Sequence, residues 1–415
     1  MIRLSQSLPI SSLANLQLSE VAVCSSPPDG MIAYFDFKKS LVLSSKKYSE
    51  GLKSLSPDPS DSKLSFSGWV GFFGYEFLAA NCGIQLIAKR DLEVPDGWFG
   101  RPDSIIRFFQ DRTEIESTSP IRENELSKLL ESNVDIEPFN SSLSAKSITC
   151  NLNFKEYEGI FAGAREAILD GETYQIKISQ RYEAEAKIDP LVAFSNLHLA
   201  NPAPESFLLT TADFSIVSCS PEVVIDKRGD HIFSRPIGGT YERKSSHSEK
   251  SVIERFLQDP KKVAEHNMLV DLERNDLATL CKTGSVQLER FREVETYAHL
   301  HHLVSTISGR LRPGISLEEI LQAMLPGGSI TGCPKARTIH WIDQLEPCFR
   351  GPYTGSFGTL SDNGDLRLNL IIRAMLVLDD RCYTQAGGGI VVDSTPDYEF
   401  NENQLKARAL LELLQ

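Results

Sequence analysis

The run Leu366–Leu378 limits what this chain can fold into more than any other segment. Leu366, Leu368, Leu370, Ile372 and Leu376 alternate with Arg367, Asn369, Ile371 and Arg373. Successive side chains on a strand point to opposite faces, so the run predicts one strand with a continuous apolar face. A second layer must cover that face. Further strands are predicted at Thr173–Glu185, Phe207–Ser218, Cys382–Val392 and Val223–Ile237, the last with a turn at Arg228–Asp230. Helical periodicity marks Tyr157–Leu169, Pro260–Leu280, Leu317–Leu325 and a closing helix from about Pro396. Before about Pro138, short strand-like runs are broken by stretches such as Ser54–Lys63, rich in Ser, Pro and Asp, and the Ser-rich Asn140–Ser147 is the predicted linker. The expectation is an α+β chain with large sheets, a region 1–148 and a region 149–415, in one compact unit.

Charge narrows the possible partners. A net charge of -13 argues against nucleic acid, whose phosphates demand a basic surface. No apolar run reaches the ~18 residues of a membrane span, and Met1–Glu20 lacks the apolar core of a signal peptide. The eight cysteines, at 24, 82, 150, 219, 281, 333, 348 and 382, form no CxxC pair. Scattered thiols suit a reducing compartment, so a cytoplasmic protein acting on small molecules is expected.

Three constellations bear on chemistry. On the closing helix, Glu399, Glu402 and Lys406 recur at i, i+3 and i+7 and continue into Leu410 and Leu413, which places two carboxylates and an ammonium on the inward side. An ordinary Glu402–Lys406 ion pair at a helix end fits the same spacing and is the commoner outcome. In Pro260–Leu280, Glu265 shares a face with Leu269 and Leu272. A buried acid needs a partner or a cation. Glu265 with Glu402 suits magnesium, which takes one or two protein carboxylates and completes its shell with water and substrate oxygens. A salt bridge to His302 or Lys335 serves equally well. Arg373, among apolar neighbours, suits a carboxylate clamp or simply an exposed sheet face. The glycine clusters fit neither a dinucleotide fingerprint nor a P-loop, since Pro334 separates Gly332 from Lys335.

Taken in order, Ser220-Pro221-Glu222, Pro236–Thr240, Ala264–Asp276, His302–Ser305, Gly327–Lys335, Arg350–Gly355, Ala386–Val391 and the Glu399/Glu402/Lys406 helix together resemble the chorismate-utilising family, which includes the large subunits of anthranilate and aminodeoxychorismate synthases and the isochorismate and salicylate synthases. The resemblance covers about Phe154–Leu414, with a weaker match at Gly68–Glu76. It implies two facing antiparallel sheets wrapped by helices, with the site between them. It also implies Mg2+ on Glu265 and Glu402 with Glu399 nearby, and Glu222 as general acid/base beside the departing hydroxyl. His302 matches the family's active-site histidine. Tyr353, Arg373 and Lys406 match carboxylate contacts, Gly388 and Gly389 would lend backbone amides, Ser329 and Thr331 would line the ring, and Lys335 is counted among the substrate-binding residues.

Within the family, water-using members carry a lysine base where this chain has Gln175. Glutamine cannot act as a base, so ammonia is the implied nucleophile, delivered by a separate glutamine amidotransferase subunit. Gly327-Gly328-Ser329-Ile330-Thr331-Gly332 resembles the aminodeoxychorismate type, and tryptophan-feedback elements are missing. Many enzymes of that type carry a lysine nucleophile at the position of Gly238. With glycine there, the first displacement would need Lys177, two residues from Gln175 on the same strand face, or a second ammonia using the space glycine leaves. An exposed lysine is the plainer account of Lys177. Gly238→Lys is accordingly expected to be tolerated.

Overall fold

The computed structural model describes residues 1–26, 30–58, 64–132, 147–243, 249–297 and 300–412. The ladders between its strands are antiparallel throughout. One sheet runs from Ile148–Cys150 through Gln175–Glu185, Arg381–Ile390, Ala374–Leu378, Ser215–Ser220, Glu205–Thr210 and Val21–Ser26 to Gly30–Leu43. The other runs from Gly97–Phe109 through Gly68–Phe73, Ser356–Ser361, Leu366–Asn369, Val223–Arg228 and His231–Ser234 to Leu300–Arg310. Gln287–Thr296 and Ile237–Glu242 complete it.

The long strands Gly30–Leu43 and Gly97–Phe109 pair with each other and join the two sheets. They bend where the register slips between Phe37 and Lys39, next to Asp36 at φ 52°. A bulge of this kind lets a strand pass from one sheet to another. The Asp36 carboxylate holds the bend by accepting from Ser104 Oγ at 2.6 Å and Arg122 Nε at 2.9 Å.

Period-two burial then builds the core. Phe207, Leu209, Ile216 and Leu376 point between the sheets, where they meet Phe72, Trp98 and Phe357. Phe207 and Phe357 stack across the gap with centroids 4.0 Å apart. Leu208, Val217, Met375 and Val377 point the other way, into a cluster that includes Ala193, Phe194 and Leu197 of the helix Pro190–Ala200. On the outside of the second sheet, Leu366, Leu368 and Leu370 pack with Val270, Leu277 and Leu280 of Pro260–Leu280 and with Ile320 and Leu321 of Leu317–Met324. Asp259 caps the longer of these helices by accepting from the amides of Lys261 and Lys262, and Ser316 with Glu319 forms a capping box on the shorter. Such caps contribute about 1 kcal/mol each. No helix among the described residues is long and apolar enough to cross a membrane.

Two expectations are corrected. Phe207–Ser218 is not one strand but a hairpin, Glu205–Thr210 and Ser215–Ser220, turned at Thr211–Phe214. Leu366–Leu378 is broken: Leu366–Asn369 belongs to one sheet and Ala374–Leu378 to the other. Between them the chain kinks, with Arg373 at φ 49°, and the parity flips. Leu370 faces the outer helices whereas Leu376 joins Ile371 between the sheets. The neighbouring segment Ser220-Pro221-Glu222 changes sheets at the same level, from Ser215–Ser220 to Val223–Arg228. The two crossings are stitched together: Leu370 N donates to Glu222 O at 3.0 Å and Cys219 N to Arg373 O at 3.2 Å. The strands of 1–148 pair directly with those of 149–415, as Val21–Ser26 does with Glu205–Thr210. Of the predicted linker, residues 140–146 lie outside the described residues.

Candidate active site

The paired crossings put Glu222 and Arg373 side by side. Glu222 is buried and accepts a hydrogen bond from Ser329 Oγ at 2.9 Å. Burial pushes its carboxyl up to about 7, against the pull of the Ser329 bond, Lys177 and Arg373. A carboxyl poised there can hold or release a proton near neutrality. Arg373 Nη2 lies 3.1 Å from His302 Nε2. A guanidinium only donates, so Nε2 accepts and the His302 proton sits on Nδ1, 3.4 Å from Gly239 O. Burial, reinforced by Arg373, holds His302 down to about 3, so the ring is neutral.

Behind His302, the helix Pro260–Leu280 seats its buried face on the strand Ile237–Glu242. That face carries His266, Leu269, Val270, Glu273, Leu277 and Leu280, one step around from the predicted stripe of Glu265, Leu269 and Leu272. Glu265 is only half-buried, on the flank. The buried acid of this helix is Glu273, which sequence reasoning missed. It accepts from Ser234 Oγ at 2.9 Å, and burial, aided by Asp276, raises it to about 8. Its signal was the three-residue spacing from Val270 to Glu273.

A Cβ at Gly238 would lie 2.9 Å from His266 Cα and 2.8 Å from His266 Nδ1. The helix therefore fills the space that a side chain at position 238 would use. This overturns two expectations: glycine leaves no room there for a second ammonia, and Gly238→Lys would press on backbone.

The opposite wall is the strand Gln175–Glu185 against Arg381–Ile390. Lys177 pairs with Gly389 and Ile178 with Gly388. The Gln175 amide lies over Gly389, whereas a Cβ on Gly388 would meet Glu399 Oε2 at 2.7 Å and Asn403 Oδ1 at 3.0 Å. These glycines exist because side chains press on the strand where a Cβ would stand. Lys177 is half-buried, not the exposed lysine that was the plainer account. Burial and the nearby Lys406 lower its pKa, against the opposing influence of Glu265, Glu402 and Glu222.

The closing helix spans Pro396–Glu412. Its buried line is Glu399, Asn403, Ala407 and Leu410, with Leu413 outside the described residues. Asn403, four residues from Glu399 and fully buried, was missed although its spacing marks it. Glu402 and Lys406 sit on the flank and form the ordinary i,i+4 pair at 2.7 Å. Burial alone would raise Glu402, but Lys406, with Lys262 and Lys177 behind it, holds it down to about 2. Burial raises Glu399, which accepts from Ser394 Oγ at 2.8 Å.

Some residues predicted for the site are engaged elsewhere. Thr331 Oγ1 donates to Gly327 O at 3.0 Å, closing its own turn. Lys335 pairs with Asp276 at 3.4 Å rather than with Glu265. Tyr353 stands with its hydroxyl 3.0 Å from a Cβ on Gly387. Arg350 locks these pieces together. Its guanidinium donates to Glu346 Oε1 and Oε2, to Ile330 O at 3.1 Å and to Lys177 O at 2.9 Å.

Glu265 and Glu402, from different helices, act on the same Lys177 ammonium and the same Tyr398 hydroxyl. Carboxylates are the protein ligands that magnesium takes, one or two at a time, with water and substrate completing its shell. Among the described residues no three His, Cys, Asp or Glu side chains form a preformed cage.

Known proteins share both the sequence and the fold. Anthranilate synthase component 1 1 of Haloarcula marismortui is 44% identical over 248 residues, 60% of this chain but only 51% of that protein. The chain thus spans about half the length of that relative. Aminodeoxychorismate synthase component 1 of Bacillus subtilis is 32% identical over 365 residues, covering 84% of this chain and 77% of the relative. The crystal structure of anthranilate synthase component I from Streptococcus pneumoniae TIGR4 superposes with a TM-score of 0.83 at 28% identity, covering 94% of this chain and 93% of that one. The family model described as chorismate binding enzyme matches residues 23–412. With that match spanning both sheets and every element around the Glu222 pocket, the chain belongs to the chorismate-binding enzyme family.

Proposed function

We propose that this chain is the aminating subunit of a glutamine-dependent synthase in the cytoplasm, and that it converts chorismate and ammonia to 4-amino-4-deoxychorismate. The observation that carries this reading is the bond from Ser329 to Glu222. It ties the Gly327–Thr331 run, which resembles the aminodeoxychorismate type, to the acid that would protonate the departing hydroxyl. The Bacillus relative, matched over most of both chains, supports the same product.

The chemistry follows from the residues. Arg373, half-buried beside neutral His302, offers a cation to a substrate carboxylate. Glu222 at about 7 carries a proton in a large fraction of molecules at neutral pH. It can pass that proton to the C4 hydroxyl, which leaves as water while an amine bonds to C2 and both ring double bonds shift; the proton that the new C2 ammonium sheds returns to Glu222. Ammonia then bonds at C4, the first amine leaves from C2 with a proton from Glu222, and the double bonds return. Residue 238 supplies no amine and leaves no room for a second ammonia, so the first amine falls to Lys177, the other candidate on the strand that carries Gln175. Glu265 and Glu402 would hold Mg2+, which when bound offsets the charge of a substrate carboxylate. Gln175 over Gly389 supplies no base for water.

One observation favours a second reading. The contact of Gly238 with His266 removes the position from which a lysine would open the 4-amino route. A single displacement with ammonia at C2 leads instead toward anthranilate, the activity named for the Haloarcula relative. Incubating the purified chain with chorismate, ammonium and Mg2+ and identifying the product by mass and fluorescence separates the two. The expected product is 4-amino-4-deoxychorismate; anthranilate alone would overturn the proposal and promote the second reading.

A further inference from the structure

Ser329, which holds the Glu222 carboxyl, follows two glycines, Gly327 and Gly328. Glycine leaves a backbone free to take many paths unless neighbours hold it. Beyond Ser329 the hold is plain. Lys177 N donates to Thr331 O at 2.9 Å, Tyr174 N to Cys333 O at 2.9 Å and Arg350 Nη1 to Ile330 O at 3.1 Å. Before Ser329 the chain rests on the helix Pro260–Leu280. A Cβ on Gly328 would lie 1.9 Å from Leu272 Cδ2, so the backbone packs directly on that side chain. One turn further along the same helix face stands Asp276. The Lys335 ammonium reaches Asp276 Oδ2 at 3.4 Å and donates to Ala323 O.

Ala323 lies in the last turn of the helix Leu317–Met324, and Lys335 opens the helix Lys335–Leu345. One ammonium therefore joins both ends of the loop that carries Ser329 and fastens them to the helix beneath. The Lys335 and Asp276 side chains are 14% and 13% exposed, so the pair is largely out of water. Losing one partner there leaves the other charge uncompensated. We propose that Lys335 is a positioning residue, holding Ser329 and through it Glu222, rather than a contact for substrate. The inference rests on the reading of Glu222 as the general acid. Glu222 is faced by Ser329 from this loop, by Lys177 from the strand Gln175–Glu185, by Arg373 from the neighbouring crossing and by the acid Glu273 from the helix. Of these, Ser329 stands on the loop that Lys335 fastens. Its hydrogen bond favours the ionised carboxylate, so a slack loop lets Glu222 hold its proton to higher pH.

The test is the pH dependence of kcat/KM for chorismate at constant free ammonia, which reports groups of the free enzyme. In the natural protein, activity should fall as pH rises and Glu222 loses its proton. Lys335→Met should move that falling limb about one pH unit upward, the scale of one hydrogen bond to a charged group. Ser329→Ala should move it as far. The two changes together should move it no further than Ser329→Ala alone, since residues acting through one contact do not add. If Lys335→Met does not fold, combining it with Asp276→Leu removes both charges and should show the same shift. A raised KM for chorismate with the limb unmoved would make Lys335 a substrate contact and overturn the proposal. Additive shifts would also overturn it, because Lys335 would then act on Glu222 without Ser329. Glu222→Gln isolates the underlying reading: a falling limb that persists in its residual turnover belongs to another group, and the inference then falls with the acid assignment.

Discussion

Replacing Glu222 by Gln should make this protein inactive and, above neutrality, more stable. The side chain is buried, and burial raises its pKa from 4.5 to about 7. A carboxyl whose folded pKa lies above its unfolded value holds its proton more tightly in the native state. It therefore subtracts stability as pH rises from 4.5 through 7, and the loss is complete above about pH 7.5. Each tenfold difference in proton affinity between the folded and unfolded chain is worth ~1.4 kcal/mol, so the loss between pH 5 and pH 8 is about 2–3 kcal/mol. Gln keeps the size and an acceptor for Ser329 Oγ but has no proton to lose. At ~2.1 cal/mol/K per residue, a chain of 415 residues gains about 1 °C in Tm per kcal/mol. Calorimetric melts of Glu222→Gln and the natural protein at pH 5 and pH 8 should thus show a Tm difference about 3 °C more favourable to the variant at pH 8. Turnover should fall about 10²- to 10⁴-fold at both pH values, the usual worth of a general acid. A Tm difference that does not change with pH would refute the assignment of a buried, high-pKa carboxyl, even if activity were lost.

Gly238→Lys should lower stability by about 1–3 kcal/mol through overpacking against His266; a wild-type urea midpoint would show that the helix yields there. Glu265→Gln or Glu402→Gln should abolish turnover with circular dichroism unchanged, and near-normal rates without any divalent ion would remove magnesium from the account. The purified chain should turn over with ammonium and not with glutamine; glutamine-dependent turnover by the chain alone would dispense with a separate amidotransferase.

Much of the architecture was legible because its periodicities are strong. Pro260–Leu280 was read to the residue, and Gln175–Glu185 and Arg381–Ile390 lie within two residues of the predicted strands. The misreadings have specific causes. Ile371 and Ile372 are both apolar, so the sequence pattern shows no mark where the chain kinks at Arg373 and the faces exchange. In Pro260–Leu280 the buried line includes His266 and Glu273, polar residues that a hydrophobic stripe assigns outward, and the face was read one step off. The long strands Gly30–Leu43 and Gly97–Phe109 carry Asp36, Lys38, Lys39, Arg101 and Asp103 at their bend, where a bulge with Lys38 and Lys39 exposed and Arg101 buried breaks the alternation. The encounter of Ser329 with Glu222 joins residues 107 positions apart, which no local pattern reports.

Because Glu222 and Arg373 lie on two neighbouring crossings tied by Leu370 N to Glu222 O and Cys219 N to Arg373 O, they travel as one body. Each crossing is anchored at both ends in a different sheet, so displacing either residue would mean slipping two ladders together. A site framed this way resists drift in its acid and its clamp. It leaves variation to parts that pack from outside: the helix against Gly238, the helix over Gly388, and the side chain at position 177. Enzymes built on the same frame should therefore diverge in which ring carbon they attack through those contacts, with the crossings themselves unchanged.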